Sequence, residues 1–339
     1  MAALIKSRRF PNRGDLLDEL QSRVVGQPRA MAQIVPYVHM YQAGLAPEGR
    51  PAGVFLLLGP TGTGKTRTVE ALAEVLHGSA RHLLRVDCGE FQMEHEVAKL
   101  IGAPPGYLGH RETQPMLSQQ KLSSVASESS SLALLLFDEI EKAAPSMTRL
   151  LLGVLDKAIL RLGDNSTVNF ERTLIFMTSN LGAAAMRKQI RPDFGFESLL
   201  NVHEQKRGLE RKLESIGMQA VRRKFSPEFV NRVDAVLTYQ PLDSAALAII
   251  VDQQLDELER HIENRLAERA FELEISDEAR EWILRTGTSE EYGARELKRT
   301  ILRNLTQPLA AMVANGEIAA DATVNVEVSG DRLTLSVII

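Results

Sequence analysis

Three short runs in the first half of the chain are apolar at every position: Val54-Phe55-Leu56-Leu57-Leu58, Leu132 to Phe137, and Leu174-Ile175-Phe176-Met177. An unbroken apolar run of that length predicts a strand buried on both faces. Leu83-Leu84-Arg85-Val86-Asp87 and Ala235 to Tyr239 predict two more strands, and Val168 to Phe170 a brief one. Between them the apolar positions step by three and four. Ser146 to Ile159 sets Met147, Leu150, Leu151, Val154 and Leu155 on one face of a helix. Further helices are expected from Asp15, over Arg29 to Gln42 (where Pro36 allows a kink or an early end), and over Thr66 to Leu76. Glu90 to Leu100, Met116 to Val125 and Leu209 to Lys224 complete the set, and Val24-Val25-Gly26-Gln27-Pro28 reads as a turn. Strands alternating with helices predict an α/β fold around a parallel, helix-covered sheet.

After Pro241 the pattern changes. Ser244 to Arg269 carries Leu247, Ile250, Val251, Leu255, Leu258, Ile262 and Leu266 at helical steps, a long amphipathic helix that packs a second domain. A strand at Phe271 to Ile275 and helices at 277–285 and 294–314 follow. Val324–Val328 and Leu333–Val337 alternate around Gly330-Asp331 as a terminal hairpin. The expected division is a flexible arm at 1–14, a large α/β domain at 15–240 and a smaller α+β domain at 241–339. A length of 339 residues suits two domains.

Composition narrows the function classes. A net charge of −4 argues against a general nucleic-acid binder, which needs a clustered positive field. Cys88 is the single cysteine, so there is neither an internal disulfide nor a cysteine metal site, as suits a reducing cytoplasm. No 18-residue apolar run and no charged-then-apolar leader are present, so neither a membrane nor a secretory role is expected.

The chemistry begins where the first buried strand ends. Gly59-Pro60-Thr61-Gly62-Thr63-Gly64-Lys65-Thr66 is a complete GxxxxGKT, with a strand before it and a helix after it. Its glycines let backbone N–H groups close around an anion, and the following helix adds its positive end. Lys65 is placed to reach the terminal phosphates of a nucleotide, and the Thr66 hydroxyl to ligate Mg²⁺. Leu134-Leu135-Leu136-Phe137 runs into Asp138 and Glu139. Two carboxylates at the tip of a buried strand need a cation or water to meet them. Asp138 is the candidate to hold Mg²⁺ through its shell, and Glu139 to polarise the attacking water. The next strand ends in Thr178-Ser179-Asn180, whose amide either orients the same water, senses the γ-phosphate or simply sits in a turn.

These motifs, in this order, resemble the AAA+ ATPases, and specifically the second ATPase ring domain of Clp/ClpB type protein unfoldases. The resemblance runs from about Val24 to the terminal hairpin. Val24-Val25-Gly26-Gln27 is similar to the family segment against adenine, which makes Val24 and Val25 cofactor candidates with Pro60 through Thr66. Asp87-Cys88-Gly89-Glu90-Phe91 and Ile101 to Gly109 resemble the stretch leading into the pore loop, so Tyr107 and Leu108 would contact substrate polypeptide. Phe225 to Asp234 resembles the arginine-finger box, which implies that Arg232 reaches the γ-phosphate of a neighbouring subunit. Tyr292-Gly293-Ala294-Arg295-Glu296-Leu297 resembles the sensor-2 motif, which implies that Arg295 touches the nucleotide in cis.

The resemblance implies a five-stranded AAA+ domain with a lid domain, ATP and Mg²⁺ as cofactors, and a homohexamer that threads unfolded or aggregated protein through its pore. No first ATPase domain, coiled-coil insertion or amino-terminal substrate domain is evident, so a single ring or a separately supplied partner is expected. Phe194-Gly195-Phe196 lies where protease-coupled members carry an aliphatic-Gly-Phe loop, and either docks a Clp peptidase or packs locally. Two rivals differ in class: a ring acting on nucleic acid, which wants a basic pore loop, and a nucleotide-gated scaffold that moves nothing.

Overall fold

A computed structural model describes residues 13–102, 115–190, 202–289 and 293–338. The chain divides into two compact units, Met1–Pro60 with Gly64–Gln240, and Pro241–Ile339 with Thr61–Thr63.

Among the described residues the first unit holds seven strands: β1 (Gly53–Leu58), β2 (Leu84–Asp87), β3 (Ala133–Asp138), β4 (Ile159–Arg161), β5 (Thr167–Asn169), β6 (Thr173–Ser179) and β7 (Ala235–Thr238). Five of them form one sheet in the order β2-β3-β6-β1-β7, and every pairing in it is parallel. This is the α/β architecture the alternating pattern predicts. β1, β3 and β6 are buried at every position because successive side chains enter two different cores. Leu56, Leu135, Phe137, Ile175 and Met177 pack on one face with the helix Pro145–Lys157. Phe55, Leu57, Leu134, Leu136 and Phe176 pack on the other with the helices Arg13–Arg23, Pro28–Gln42 and Lys65–His77. There Phe55 stacks on Phe176 at 5.1 Å and meets the edge of Tyr37 at 5.0 Å.

Local details depart from the periodic pattern for identifiable reasons. Pro36 neither ends nor divides its helix. Burying Ile34, Val35 and Val38, at roughly 1.5–3 kcal/mol each, outweighs the one hydrogen bond a proline removes. The expected helix over Glu90 to Leu100 is instead two 3₁₀ turns, Cys88–Glu90 and Glu94–Glu96, and a short helix, Val97–Ile101. Side chains capture the backbone there: the Asp87 carboxylate accepts from the Gly89 N–H at 2.8 Å, and Glu96 accepts from the Met93 N–H at 2.8 Å. The helix read through Ile159 stops at Lys157, because buried Ala158 turns left-handed at φ 52° and accepts from the Phe170 N–H. Ile159–Arg161 then pairs antiparallel with β5 as a small hairpin. The helix expected from Met116 begins at Gln119, where the Ser118 hydroxyl caps it by accepting from the Lys121 N–H.

His77 closes the helix that follows the glycine-rich loop. Its Nδ1 lies 2.9 Å from the Ser127 hydroxyl and its ring stacks on His82 at 5.4 Å. Burial first, and the His82 ring second, push its pKa from 6.5 down to about 4. The folded chain thus protonates there less readily than the unfolded chain. Stability is full above about pH 6.5 and falls as pH drops toward about 4. Urea unfolding of wild type and H77N at pH 7 and pH 5 checks this. The wild type is expected to lose on the order of 1–2 kcal/mol more than the variant on acidification. Equal losses would remove His77 as the cause.

The second unit packs Leu247, Val251 and Leu255 of the helix Ser244–Leu266 against Trp282, Ile283, Leu297 and Ile301. Its three-stranded sheet has the order β10-β9-β8, with β8 (Glu272–Ile275) parallel to β9 (Thr323–Ser329) and β10 (Arg332–Ile338) antiparallel to β9. The rod expected over 294–314 contains a π turn, Leu302–Thr306, between Ala294–Ile301 and Gln307–Ala314. Pro308 has no N–H to offer the Asn304 carbonyl, so the turn widens. Among the described residues no helix is long and apolar enough to cross a membrane.

Candidate nucleotide-hydrolysis site

β3, β6 and β1 are neighbours in the sheet and run parallel, so their C-terminal ends present their tips side by side. β1 runs into the glycine-rich loop, β3 ends at Asp138, and β6 runs into Asn180. The topology therefore gathers residues more than a hundred positions apart.

The loop needs glycine at two positions for different reasons. Gly59 passes so close to β7 that a Cβ would sit 2.6 Å from the Tyr239 carbonyl oxygen. Gly64 turns into the helix Lys65–His77 at φ 97°, a left-handed conformation that a side chain strains. Tyr239 also donates its backbone N–H to the Leu58 carbonyl at 2.6 Å and its hydroxyl to the Thr68 oxygen at 2.7 Å. Burial raises that phenol well above its ordinary range.

Lys65 is buried and donates to the carbonyls of Gly59 at 2.7 Å and Pro60 at 2.8 Å. It also donates to Asn180 Oδ1 at 3.0 Å. The amide nitrogen of Asn180 in turn donates to Glu139 Oε1 at 3.2 Å. Lys65, Asn180 and Glu139 thus form one hydrogen-bonded line across the tips of β1, β6 and β3. Asn180 is a bridge here, beyond a turn residue, and its own N–H is held by Glu141 at 3.0 Å. Glu139 adopts a left-handed backbone (φ 56°, ψ 50°), rare for a residue with a side chain. The conformation is retained because its N–H donates to the Thr178 hydroxyl oxygen at 3.0 Å and its carboxylate also pairs with Lys142.

Asp138 is 8% exposed. One carboxylate oxygen accepts from the Thr178 hydroxyl, and the other pairs with the Arg85 guanidinium of β2. Thr66 is half-buried on the first turn of the helix after the loop. A hydroxyl and a carboxylate are the hard oxygen donors Mg²⁺ prefers, with phosphate oxygens and water completing the shell. No group of three or more His, Cys, Asp or Glu that could hold a metal occurs among the described residues.

Val24 is buried beside Gly64, 3.7 Å from where a Cβ would stand, and Val25 is half-buried. The turn carrying them is clamped by Gln27, which donates to the Gln240 carbonyl at 2.8 Å and accepts from its N–H at 3.2 Å. Arg232 is engaged on its own chain, 3.3 Å from Asp156 and 3.3 Å from Glu228. Arg295 lies in the helix Ala294–Ile301 of the second unit. Tyr107, Leu108, Phe194-Gly195-Phe196 and Tyr292 lie outside the described residues. Sequence reading missed Arg85, whose signal is a basic residue set between Leu84 and Val86 in the strand beside β3. It also missed the hydroxyl of Thr178 as the support of both carboxylate residues.

A five-stranded parallel sheet whose neighbouring tips carry GxxxxGKT, Asp-Glu and Asn defines a P-loop nucleotide-hydrolase domain of the AAA+ type. Residues 50–236, more than half of the chain, match the AAA domain (Cdc48 subfamily), and the chain belongs to that family. Residues 242–326 match the C-terminal, D2-small domain, of ClpB protein. Chaperone protein ClpB of Lactiplantibacillus plantarum is 38% identical over 318 residues, covering 94% of this chain and 34% of that relative. Its counterpart in Mesorhizobium japonicum is 40% identical over 316 residues, covering 93% and 33%. The chain therefore spans about a third of the length of these curated relatives. Among solved structures, Hsp104 in a closed state with ATPγS and FITC-casein is similar with a TM-score of 0.77 at 30% identity, over 96% of this chain and 51% of that one. An extended Saccharomyces cerevisiae Hsp104–casein complex gives the same TM-score and identity over 94% and 51%.

Proposed function

We propose that the chain is an ATP-hydrolysing ring subunit that pulls unfolded or aggregated polypeptide through a central pore. The observation that carries this reading is the line Lys65–Asn180–Glu139 with Asp138 beside it. A phosphate-binding lysine and a water-activating carboxylate are joined through one amide, so occupancy of one end is felt at the other. In this reading residues 15–240 form the hydrolytic domain and 241–339 the lid.

When ATP is bound, Lys65 leaves the loop carbonyls for the terminal phosphates, and backbone N–H groups of Pro60 to Thr66 other than proline cradle the rest. Val24 and Val25 pack against adenine. Thr66 and Asp138 would hold Mg²⁺, whose charge would offset that of the phosphates. Glu139 takes a proton from the attacking water, with Asn180 fixing that carboxylate's direction. Arg232 acts on the nucleotide of the neighbouring subunit and Arg295 on that of its own chain, stabilising charge on the transferring group. The assembly is a homohexamer in the cytoplasm, acting on neither nucleic acid nor membrane.

The casein in the similar Hsp104 structures and Tyr107-Leu108, an apolar pair flanked by Gly106 and Gly109, support this substrate class. Apolar contact is indifferent to the sequence gripped. Docking of a Clp peptidase by Phe194-Gly195-Phe196 is the corresponding proposal for a downstream partner. The test measures ATPase rate and particle mass with and without unfolded casein. The expected result is an ATP-dependent rise in mass and a rate that responds to casein. Y107A should keep assembly and basal turnover while losing most unfolding of a tagged substrate. A wild type that hydrolyses ATP but ignores every polypeptide offered would favour the scaffold. A Y107A chain that unfolds substrate normally would move the grip elsewhere.

A further inference from the structure

The carboxylate read as facing Mg²⁺ already has a cation beside it. Asp138 is 8% exposed, and both of its oxygens are engaged, one by the Thr178 hydroxyl and the other by Arg85. Arg85 reaches it from the neighbouring strand. β2 and β3 pair in parallel with Asp87 opposite Asp138 and Arg85 opposite Leu136, so the guanidinium extends along β2 toward the tip of β3.

The two partners are not equivalent. Thr178 sits inside the central strand at 1% exposure and also receives the Glu139 N–H, so it belongs to the fixed frame. The Arg85 side chain is 51% exposed. A half-exposed guanidinium surrenders little hydration to form the pair and little structure to leave it, whereas an unpaired carboxylate at that depth is costly. Arg85 makes no contact with Lys65, Asn180 or Glu139 among the bonds described above. Its influence on the site therefore passes through Asp138.

We propose that Arg85 is a positioning residue for the metal, a tethered counter-ion that neutralises Asp138 in the nucleotide-free chain and competes with Mg²⁺ for it. The proposal rests on the reading of Asp138 as the carboxylate facing the metal. While the guanidinium is on that oxygen, an arriving dication meets a screened charge and a like charge nearby. Mg²⁺–nucleotide is held only when the metal outcompetes the arginine. Arg85 thereby raises the Mg²⁺ concentration at which nucleotide is retained and keeps the empty site folded.

The experiment uses the full chain with R85Q, R85K, D138N and the double variant R85Q/D138N. Binding of a fluorescent ADP analogue is titrated with Mg²⁺ from an EDTA baseline, and thermal midpoints are recorded in EDTA and in Mg²⁺–ADP. R85Q is expected to lower the half-saturating Mg²⁺ by roughly three- to fivefold, the size of one partly screened ion pair. Its midpoint should fall in EDTA and rise more than that of wild type on adding Mg²⁺–ADP. R85K, which keeps the charge, should track wild type, and R85Q/D138N should recover the EDTA midpoint because no carboxylate is left unpaired. An unchanged or higher half-saturating Mg²⁺ in R85Q overturns the proposal. If R85Q alone does not fold, the comparison moves to D138N against R85Q/D138N. The proposal then requires equal Mg²⁺ dependence, since Arg85 has nothing left to screen, and a difference between the two overturns it. A D138N chain with wild-type Mg²⁺ dependence would instead overturn the metal reading of Asp138 itself.

Discussion

Glu139→Gln leaves ATP binding intact and lowers turnover by roughly 10²-fold or more, the cost of removing a group that activates water. The glutamine keeps the shape and can still accept from the Asn180 amide, so the line to Lys65 persists while the basic oxygen is lost. The ion pair with Lys142 is lost as well, but both side chains are partly exposed and such pairs contribute little. A defect in folding is therefore not expected. Phosphate release measured beside fluorescent-nucleotide binding separates the two effects. Turnover within a few-fold of wild type, with binding unchanged, would assign the water to another base.

The second large effect depends on assembly. R232A and K65A are each expected to abolish most hydrolysis, the first because a finger arginine supplies on the order of 10³-fold or more in phosphoryl transfer. Among the described residues Arg232 pairs with the exposed carboxylates of Asp156 and Glu228 and donates to the Glu228 carbonyl at 3.2 Å, so its removal is expected to cost little stability. Mixed in one ring, the two variants complement each other. At an interface where the R232A subunit supplies Lys65 and the K65A subunit supplies Arg232, the site is whole, which is about a quarter of interfaces in random equal mixing around a closed ring. Activity recovered on mixing, scaling with the proportion of mixed rings, is the expected outcome. A mixture as inactive as its parents, with mixed rings demonstrated, would end the trans assignment.

What was legible in the chain follows physical scale. The buried strands declared themselves because a central parallel strand has no polar face to offer, and Leu134 to Phe137 alternate between two cores rather than between core and water. The loop at Gly59–Thr66 was legible because phosphate binding constrains consecutive residues. Less legible were features decided by single long-range contacts. Nothing local distinguishes Asn180 in a turn from Asn180 bridging Lys65 to Glu139. The pairing of Arg85 with Asp138 joins residues 53 positions apart, and the Gln27–Gln240 clamp joins residues 213 apart. The broken helix after Asp87 was misread for the opposite reason. Side chains two and three residues away capture backbone N–H groups, and periodicity is blind to such short bonds.

The strand order carries a consequence for how the protein is made. β1 lies between β6 and β7, so the strand that presents the phosphate loop has no neighbour within the next hundred residues of chain. Its register is set against Leu174 to Ser179 and then against Ala235 to Thr238. During synthesis from the amino terminus, Gly53–Leu58 emerges first and waits while the later strands are still being added. One side of its ladder becomes available some 120 residues later, in β6, and the other only after some 180, where Val54 bonds Asp234 and β7 follows. An apolar segment is thus completed by the last strand of its sheet, and the fold passes through a long interval in which the strand that carries the phosphate loop is uncovered on at least one edge.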